Sequence, residues 1–157
     1  MPLKPGPPKP GPPKPGPPEP GAPPAKLSLV VLSGSYERVH YALALAASQL
    51  AIGRGATLFF TMGGIRGLLA PAEDGQPGWR ALAGAERDAT MAREGLATFE
   101  DLIAACVELG AKFLVCEMGL RAEGLGVADL RTDVTVEQGG IVTWLNDARA
   151  DGAMLVL

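Results

Sequence analysis

Short runs of consecutive apolar residues alternate along the chain with longer segments whose apolar residues recur every three or four positions. The runs are typical of strands buried on both faces, and the longer segments of helices that pack one side against a sheet. The predicted strands are 27–33, 56–62, 112–116, 134–136 and 153–157; the predicted helices are 36–52, 98–109 and 139–150, with a short helix or turn at 65–69, partial helix over 79–97 and a loop with a short helix over 117–131.

This alternation predicts the fold class. Buried strands that alternate with helices form a mostly parallel sheet with helices on both faces. We therefore expect an α/β, three-layer sandwich with a Rossmann-like arrangement and about five strands, near the usual size of a sheet. The crossovers between parallel strands should be right-handed.

A proline-rich repeat occupies the first 25 residues. The unit Lys-Pro-Gly-Pro-Pro recurs at 4–8, 9–13 and 14–18, and residues 1–25 hold 13 of the 15 prolines. Proline fixes φ and removes backbone donors, so we expect a disordered, extended arm (1–25) followed by a single domain (26–157). The arm could act as a spacer or could dock into an aromatic groove of a partner, and the spacer interpretation is favoured.

Charge and composition exclude several functions. The chain has a net charge of −3, and three of its lysines fall in the proline-rich arm, so the remainder is more negative still. A surface of this sign does not suit nucleic acid. No apolar stretch is long enough to span a bilayer, and no apolar secretory segment is expected. Two cysteines in such a chain suggest reduced thiols in the cytoplasm.

Cys116 is the candidate reactive residue. It closes the predicted strand 112–116, and ligands of parallel sheets gather at the carboxyl edge. A thiol there can be reached by a partner, so we expect its sulfur to be open to solvent. The alternative is a small buried apolar residue, a common fate of free cysteine. Cys106 falls on the apolar face of helix 98–109 and is read as core.

Other strand ends and helix starts should lie around this sulfur. The predicted pocket residues are Ser33, Gly34, Met62, Gly63, Met118, Gly119, Gly139 and Gly140. We expect no metal and no cofactor, because the chain lacks a nucleotide-binding glycine fingerprint and offers too few nearby zinc ligands. The single histidine, His40, falls within a helix and is read as structural.

The sequence resembles the DsrE/DsrF-like family, and within it the DsrE2-like branch. Three stretches carry the resemblance: 32–34 leading into an alanine-rich helix, 51–61 with its Thr-Leu-Phe-Phe-Thr strand, and 99–145, where Cys116-x-Met118 precedes the Gly139-Gly140 helix start. Two departures stand out. Gly119 replaces the serine usual after Cys-x-Met, and Gly63-Gly64 replaces a bulkier aromatic end of the second strand.

The resemblance implies an oligomeric sulfur-relay protein. Relatives carry sulfur as a persulfide on a cysteine placed like Cys116, which they accept from one protein thiol and pass to another. The implied partners are therefore sulfur donor and acceptor proteins and further copies of the chain. Two other interpretations stay open: a non-catalytic binding or assembly module that docks through the proline-rich arm, and, less favoured, a thiol peroxidase, because Cys116 has no visible resolving partner.

Overall fold

The computed structural model of the protein describes Gly21 and residues 25–157, so nearly all of the predicted arm lies outside the described residues. The strands are β1 Lys26–Val31, β2 Gly55–Phe60, β3 Lys112–Cys116, β4 Val136–Gly139 and β5 Ala153–Val156. The α-helices are α1 Tyr36–Ala51, α2 Arg87–Arg93, α3 Phe99–Glu108, α4 Glu117–Ala122 and α5 Ile141–Asp147. Three 3₁₀ segments, Met62–Leu68, Gly78–Ala81 and Val127–Asp129, complete the described elements.

The five strands form one parallel sheet in the order β4-β3-β2-β1-β5. The first four strands lie side by side in chain order, so right-handed crossovers place α1 to α4 on one face. The last crossover runs back past β1 in the opposite direction, which puts α5 on the other face. The result confirms the predicted α/β, three-layer fold with a parallel sheet.

The principal core lies between the sheet and helices α1 and α3. Alternate strand residues such as Leu29, Leu58 and Val115 point into it and are fully buried. The amphipathic pattern of α1 and α3 is the reason they cover this face, since their apolar stripes recur at helical spacing. The helix residues buried here are Tyr36, Val39, Ala42, Leu43 and Ala46 from α1, and Phe99, Leu102, Ile103 and Cys106 from α3.

The opposite face of the sheet has a much thinner cover. The second cluster of buried apolar residues consists of Phe59, Leu114, Cys116 and Trp144, with Val30 packed against it. Trp144 is the buried residue of α5, and its ring stacks on that of Phe59 with centroids 6.2 Å apart. A helix of only seven residues therefore covers this side of the sheet. Within residues 25–157 the structure contains no helix with the length and apolar character needed to cross a membrane.

Several predicted boundaries were wrong. The segment after Cys116 enters α4 at once, where a loop was expected first. The fourth strand was predicted at 134–136 but occupies Val136–Gly139, because pairing with β3 continues as far as Cys116 opposite Gly139. Val134 is buried in the principal core instead. The last helix is shorter than predicted at both ends, and the partial helix over 79–97 resolves into a 3₁₀ turn and α2.

Asp147 anchors the end of α5 to three strands. Its carboxylate accepts hydrogen bonds from Lys26 Nζ at 2.6 Å, Thr57 Oγ1 at 2.7 Å and Lys112 Nζ at 3.1 Å. Partial burial by itself would raise the pKa of Asp147, but these three donors outweigh it and lower the pKa to about 2. The ionised carboxylate is therefore the form that holds α5 against β1, β2 and β3.

Replacing Asp147 with asparagine should lower the free energy of unfolding at pH 7 by on the order of 2 kcal/mol, the equivalent of a pKa lowered from 3.8 to about 2. Because the folded-state pKa is the lower one, the contribution is complete above pH 3.8 and fades as the pH falls toward 2. Urea unfolding of both proteins across this range tests it.

The control for this experiment is Asp151→Asn. Asp151 pairs with Arg149 at 2.9 Å on the exposed surface, where such pairs contribute little. We expect Asp151→Asn to unfold like the wild type. Equal stability of Asp147→Asn and the wild type at pH 7 would contradict the anchoring role.

Candidate functional site

The carboxyl ends of all five strands lie along one edge of the sheet, because the strands are parallel. Ser33 and Gly34 follow β1, Met62 and Gly63 follow β2, and Met118 and Gly119 belong to α4 directly after β3. Gly139 ends β4 opposite Cys116, and Gly140 is the N-cap of α5. The structure thus places all the predicted pocket residues at the edge where Cys116 lies.

Close backbone contacts join the segments at this edge. A Cβ atom added at Gly63 would lie 2.8 Å from the backbone nitrogen of Gly34, so the turns after β1 and β2 touch without side chains between them. A Cβ atom added at Gly119 would lie 2.7 Å from the Met62 nitrogen and 2.7 Å from Thr61 Oγ1. The absence of serine at position 119 therefore has a steric reason, since α4 lies too close to the end of β2.

Cys116 is buried, with 1% of its surface exposed, so the expectation of a solvent-open sulfur was wrong. Two features of the chain cause this burial. Cys116 is the N-cap of α4, which leaves no loop that could lift the residue out of the sheet. Its side chain also shares the thin layer with Phe59 and Trp144. Within the described residues the thiol has no hydrogen-bond partner.

A cavity of about 220 Å³ lies in this thin layer. Its lining residues are Val30, Leu32, Phe59, Thr61, Met62, Met118, Ile141 and Trp144. Phe59 and Trp144 also pack in the cluster that contains Cys116, so the cavity adjoins the layer around the thiol. Met118 and Ile141 are the most exposed of the lining residues, at 55% and 52%, followed by Leu32 at 45%, so the cavity borders solvent at these side chains.

Only two of the predicted pocket residues, Met62 and Met118, line this cavity. Ser33 lies outside it and accepts a hydrogen bond from the Ser35 backbone at 3.2 Å. The predicted glycines also lie outside its lining. The residues that sequence reasoning missed are Val30, Leu32, Phe59, Thr61, Ile141 and Trp144. Alternation along β1 and β2 offered a signal, because Leu32 and Thr61 continue the side of the sheet that Val30 and Phe59 occupy.

The site is apolar and its backbone is strained at one point. None of the residues that line the cavity is charged. Arg66, near the same edge, pairs with Glu123 at 2.9 Å. Met62 has a φ of 46°, a left-handed conformation uncommon for a residue with a side chain. Such strain is concentrated at functional sites.

The second cysteine lies in a different environment. Cys106 is fully buried among α1 and α3, and its thiol donates a hydrogen bond to the Leu43 carbonyl at 3.4 Å. Burial raises the pKa of Cys106 to about 11, which disfavours the reactive thiolate. Among the described residues, no three His, Cys, Asp or Glu side chains are grouped so that they could hold a metal ion.

Solved structures share this fold. A protein of unknown function from Methanobacterium thermoautotrophicum, MTH1491, superposes with a TM-score of 0.55 at 14% identity over 84% of this chain and 98% of its own. The YchN protein of E. coli superposes with a TM-score of 0.52, at the same identity and coverage. At this identity the likeness concerns the fold. No protein-family model and no curated protein sequence matches the chain.

The arrangement suits sulfur chemistry better than acid–base chemistry. The cavity offers aromatic rings, aliphatic side chains and two thioethers next to a layer that contains one thiol. It has no histidine or carboxylate that could move a proton, and His40 instead contacts the Ala97 carbonyl at 2.8 Å. Nucleophilic exchange at sulfur needs only an attacking thiolate and a leaving thiolate.

Replacing Gly119 with alanine should lower the free energy of unfolding by about 1–3 kcal/mol, because the new methyl group must displace the backbone of Met62. Gly140→Ala is the matched control at the same edge, since nothing lies within 4 Å of a Cβ atom there. Its effect should stay within about 0.5 kcal/mol. Chemical denaturation checks both values, and a Gly119→Ala protein as stable as the wild type would show that α4 is not held against β2.

Proposed function

We propose that the protein is a sulfur-relay protein that carries one sulfur atom as a persulfide on Cys116. The observation that carries the proposal is the placement of this thiol in an enclosed apolar layer, next to a cavity whose outer wall is Met118 and Ile141. The Cys-x-Met sequence followed by the Gly-Gly helix start, which resembles the DsrE2-like branch, supports the same function.

The chemistry is a thiol–persulfide exchange. The Cys116 thiolate attacks the outer sulfur of a persulfide on a donor protein, a new S–S bond forms, and the S–S bond of the donor breaks. The donor sulfur leaves as a thiolate and takes up the proton that Cys116 released. The step involves no net oxidation, so it needs no cofactor, and the reverse reaction with an acceptor thiol passes the sulfur on.

Burial of the carrier sulfur has a chemical advantage for such a relay. A persulfide open to solvent would meet other thiols, which remove its outer sulfur by the same exchange reaction. An enclosed sulfur exchanges only when the side chains over the cavity move aside, so its loss to other thiols is slow. In this proposal the donor sulfur enters through the cavity, past Met118 and Ile141, whose exposed side chains can move aside.

Treating the full-length protein with a low-molecular-weight persulfide such as glutathione persulfide tests the carrier role. We expect the mass of one added sulfur atom on the wild type, located on Cys116 by peptide mapping. Cys116→Ser should remove the added mass, whereas Cys106→Ser should retain it because Cys106 is sealed in the principal core. Sulfur that persists on Cys116→Ser would contradict the proposal.

An assembly role, alone or combined with the relay, is favoured by an exposed apolar surface. The thin layer presents what we call the outer apolar face, composed of Val142, Leu145, Met154 and Val156, none of which lines the cavity. Apolar surface gathered on one side of a domain is typical of a protein–protein contact. We propose that a second copy of the chain covers it, in a cytoplasmic homo-oligomer without a nucleic-acid or membrane partner.

Replacing Val142 with glutamate tests this contact. Val142 is 69% exposed on α5, so a charge there should leave the fold intact but prevent association. We expect the wild type to sediment as an oligomer and Val142→Glu as a monomer. Leu109→Glu, at an exposed apolar position beyond α3 in the other layer, should still assemble. A wild type that sediments as a monomer would reject the interface.

A further inference from the structure

The indole N–H group of Trp144 has no hydrogen-bond acceptor among the described residues. Trp144 is 7% exposed, and its Nε1 is the one buried side-chain nitrogen or oxygen that lacks a hydrogen-bond partner among the described residues. The other tryptophan of the chain shows the usual arrangement, because Trp79 Nε1 donates to Glu100 Oε1 at 2.8 Å. Leaving a buried donor unpaired is costly, so such a group calls for an explanation.

The position of Trp144 indicates where an acceptor would come from. The ring lines the 220 Å³ cavity and belongs to the same buried cluster as Cys116. A water molecule suits this cavity poorly, because an ordered water needs two to four polar partners and the cavity surface is almost entirely apolar. An acceptor carried into the layer by a ligand fits the observations better.

We infer that the Trp144 Nε1–H group donates a hydrogen bond to the outer sulfur of the persulfide on Cys116, which makes Trp144 the positioning residue for the carried sulfur. The inference rests on the proposed function, because the acceptor is the sulfur that Cys116 would carry. An indole nitrogen can only donate. It therefore stabilises a persulfide anion, which is a charged acceptor, through a charge-assisted hydrogen bond.

A hydrogen bond from Trp144 would favour the persulfide form of Cys116 over the form without the added sulfur. Transfer of one sulfur atom from a donor persulfide to Cys116 conserves bonds and charge, so the equilibrium depends on which protein stabilises the outer sulfur better. The cavity lining contains no cation that could do so. A single charge-assisted hydrogen bond from Trp144 would then be the main polar contribution to sulfur retention.

The direct test is the indole N–H resonance of Trp144 in the ¹⁵N-labelled full-length protein. Two indole cross-peaks are expected, and Trp79→Phe assigns them by removing one. Loading with glutathione persulfide should move the Trp144 peak downfield and leave the Trp79 peak in place, and Cys116→Ser treated in the same way should show no shift. A Trp144 peak that stays fixed while mass spectrometry shows full loading of Cys116 would overturn the inference and leave the carrier role intact.

The second measurement is the equilibrium between protein persulfide and glutathione persulfide at fixed thiol concentration. Trp144→Phe keeps an aromatic ring but removes the N–H group, and we expect the ratio of loaded to unloaded protein to fall about tenfold. Trp79→Phe is the matched control and should leave the ratio unchanged. An unchanged ratio in Trp144→Phe contradicts the inference, and failure of the wild type to load Cys116 overturns it together with the proposed function.

Discussion

The handedness of the crossovers between parallel strands is the constraint on which the rest of the structure depends. It sends α1 to α4 to one face of the sheet and leaves α5 to cover the other face. Cys116 points to the side with the thin cover because strand residues alternate between faces and Val115 already points into the principal core. The hydrogen bonds of Asp147 stabilise this cover, so the candidate site depends on an ionic contact at the opposite end of α5.

The proposed relay makes two conflicting demands on the site. Its carrier sulfur would have to be shielded from other thiols and still be reached by its partners. The structure encloses Cys116 with Trp144 and Phe59, both held by packing, while the neighbouring cavity is bordered by the exposed side chains of Met118 and Ile141. Backbone contacts at Gly63 and Gly119 hold the strand ends behind this layer in place. The backbone behind the thiol is thus closely packed, whereas side chains alone separate the cavity from solvent.

Local pattern was enough to predict the fold class and most elements. Continuous apolar runs identified β1, β2 and β3, and helical spacing identified α3, whose start the structure fixes by both capping hydrogen bonds between Thr98 and Asp101. The surroundings of Cys116 were harder to predict from the sequence, because they depend on the strand order and on the start of α4 directly after β3. Both are properties of the tertiary structure. The prediction at Val134 failed for a similar reason. Its apolar character suggested a strand, but Val134 lies in a loop and is buried by tertiary packing. The cavity residues lie on or directly after two strands, β1 and β2, on one 3₁₀ segment and on two helices, α4 and α5, and only the tertiary fold brings them together.

The pairing of β1 with β5 has a consequence for the order in which the protein forms. β1, β2 and β3 each pair with the strand that follows in the chain, whereas Leu27 pairs with Ala153 across almost the whole described chain. Contacts between distant residues close slowly because a long loop must first be ordered. We therefore expect the α1 and α3 side to assemble first, while Cys116 is still uncovered. In that order of events, α5 and β5 enclose the thiol only in the last step of folding.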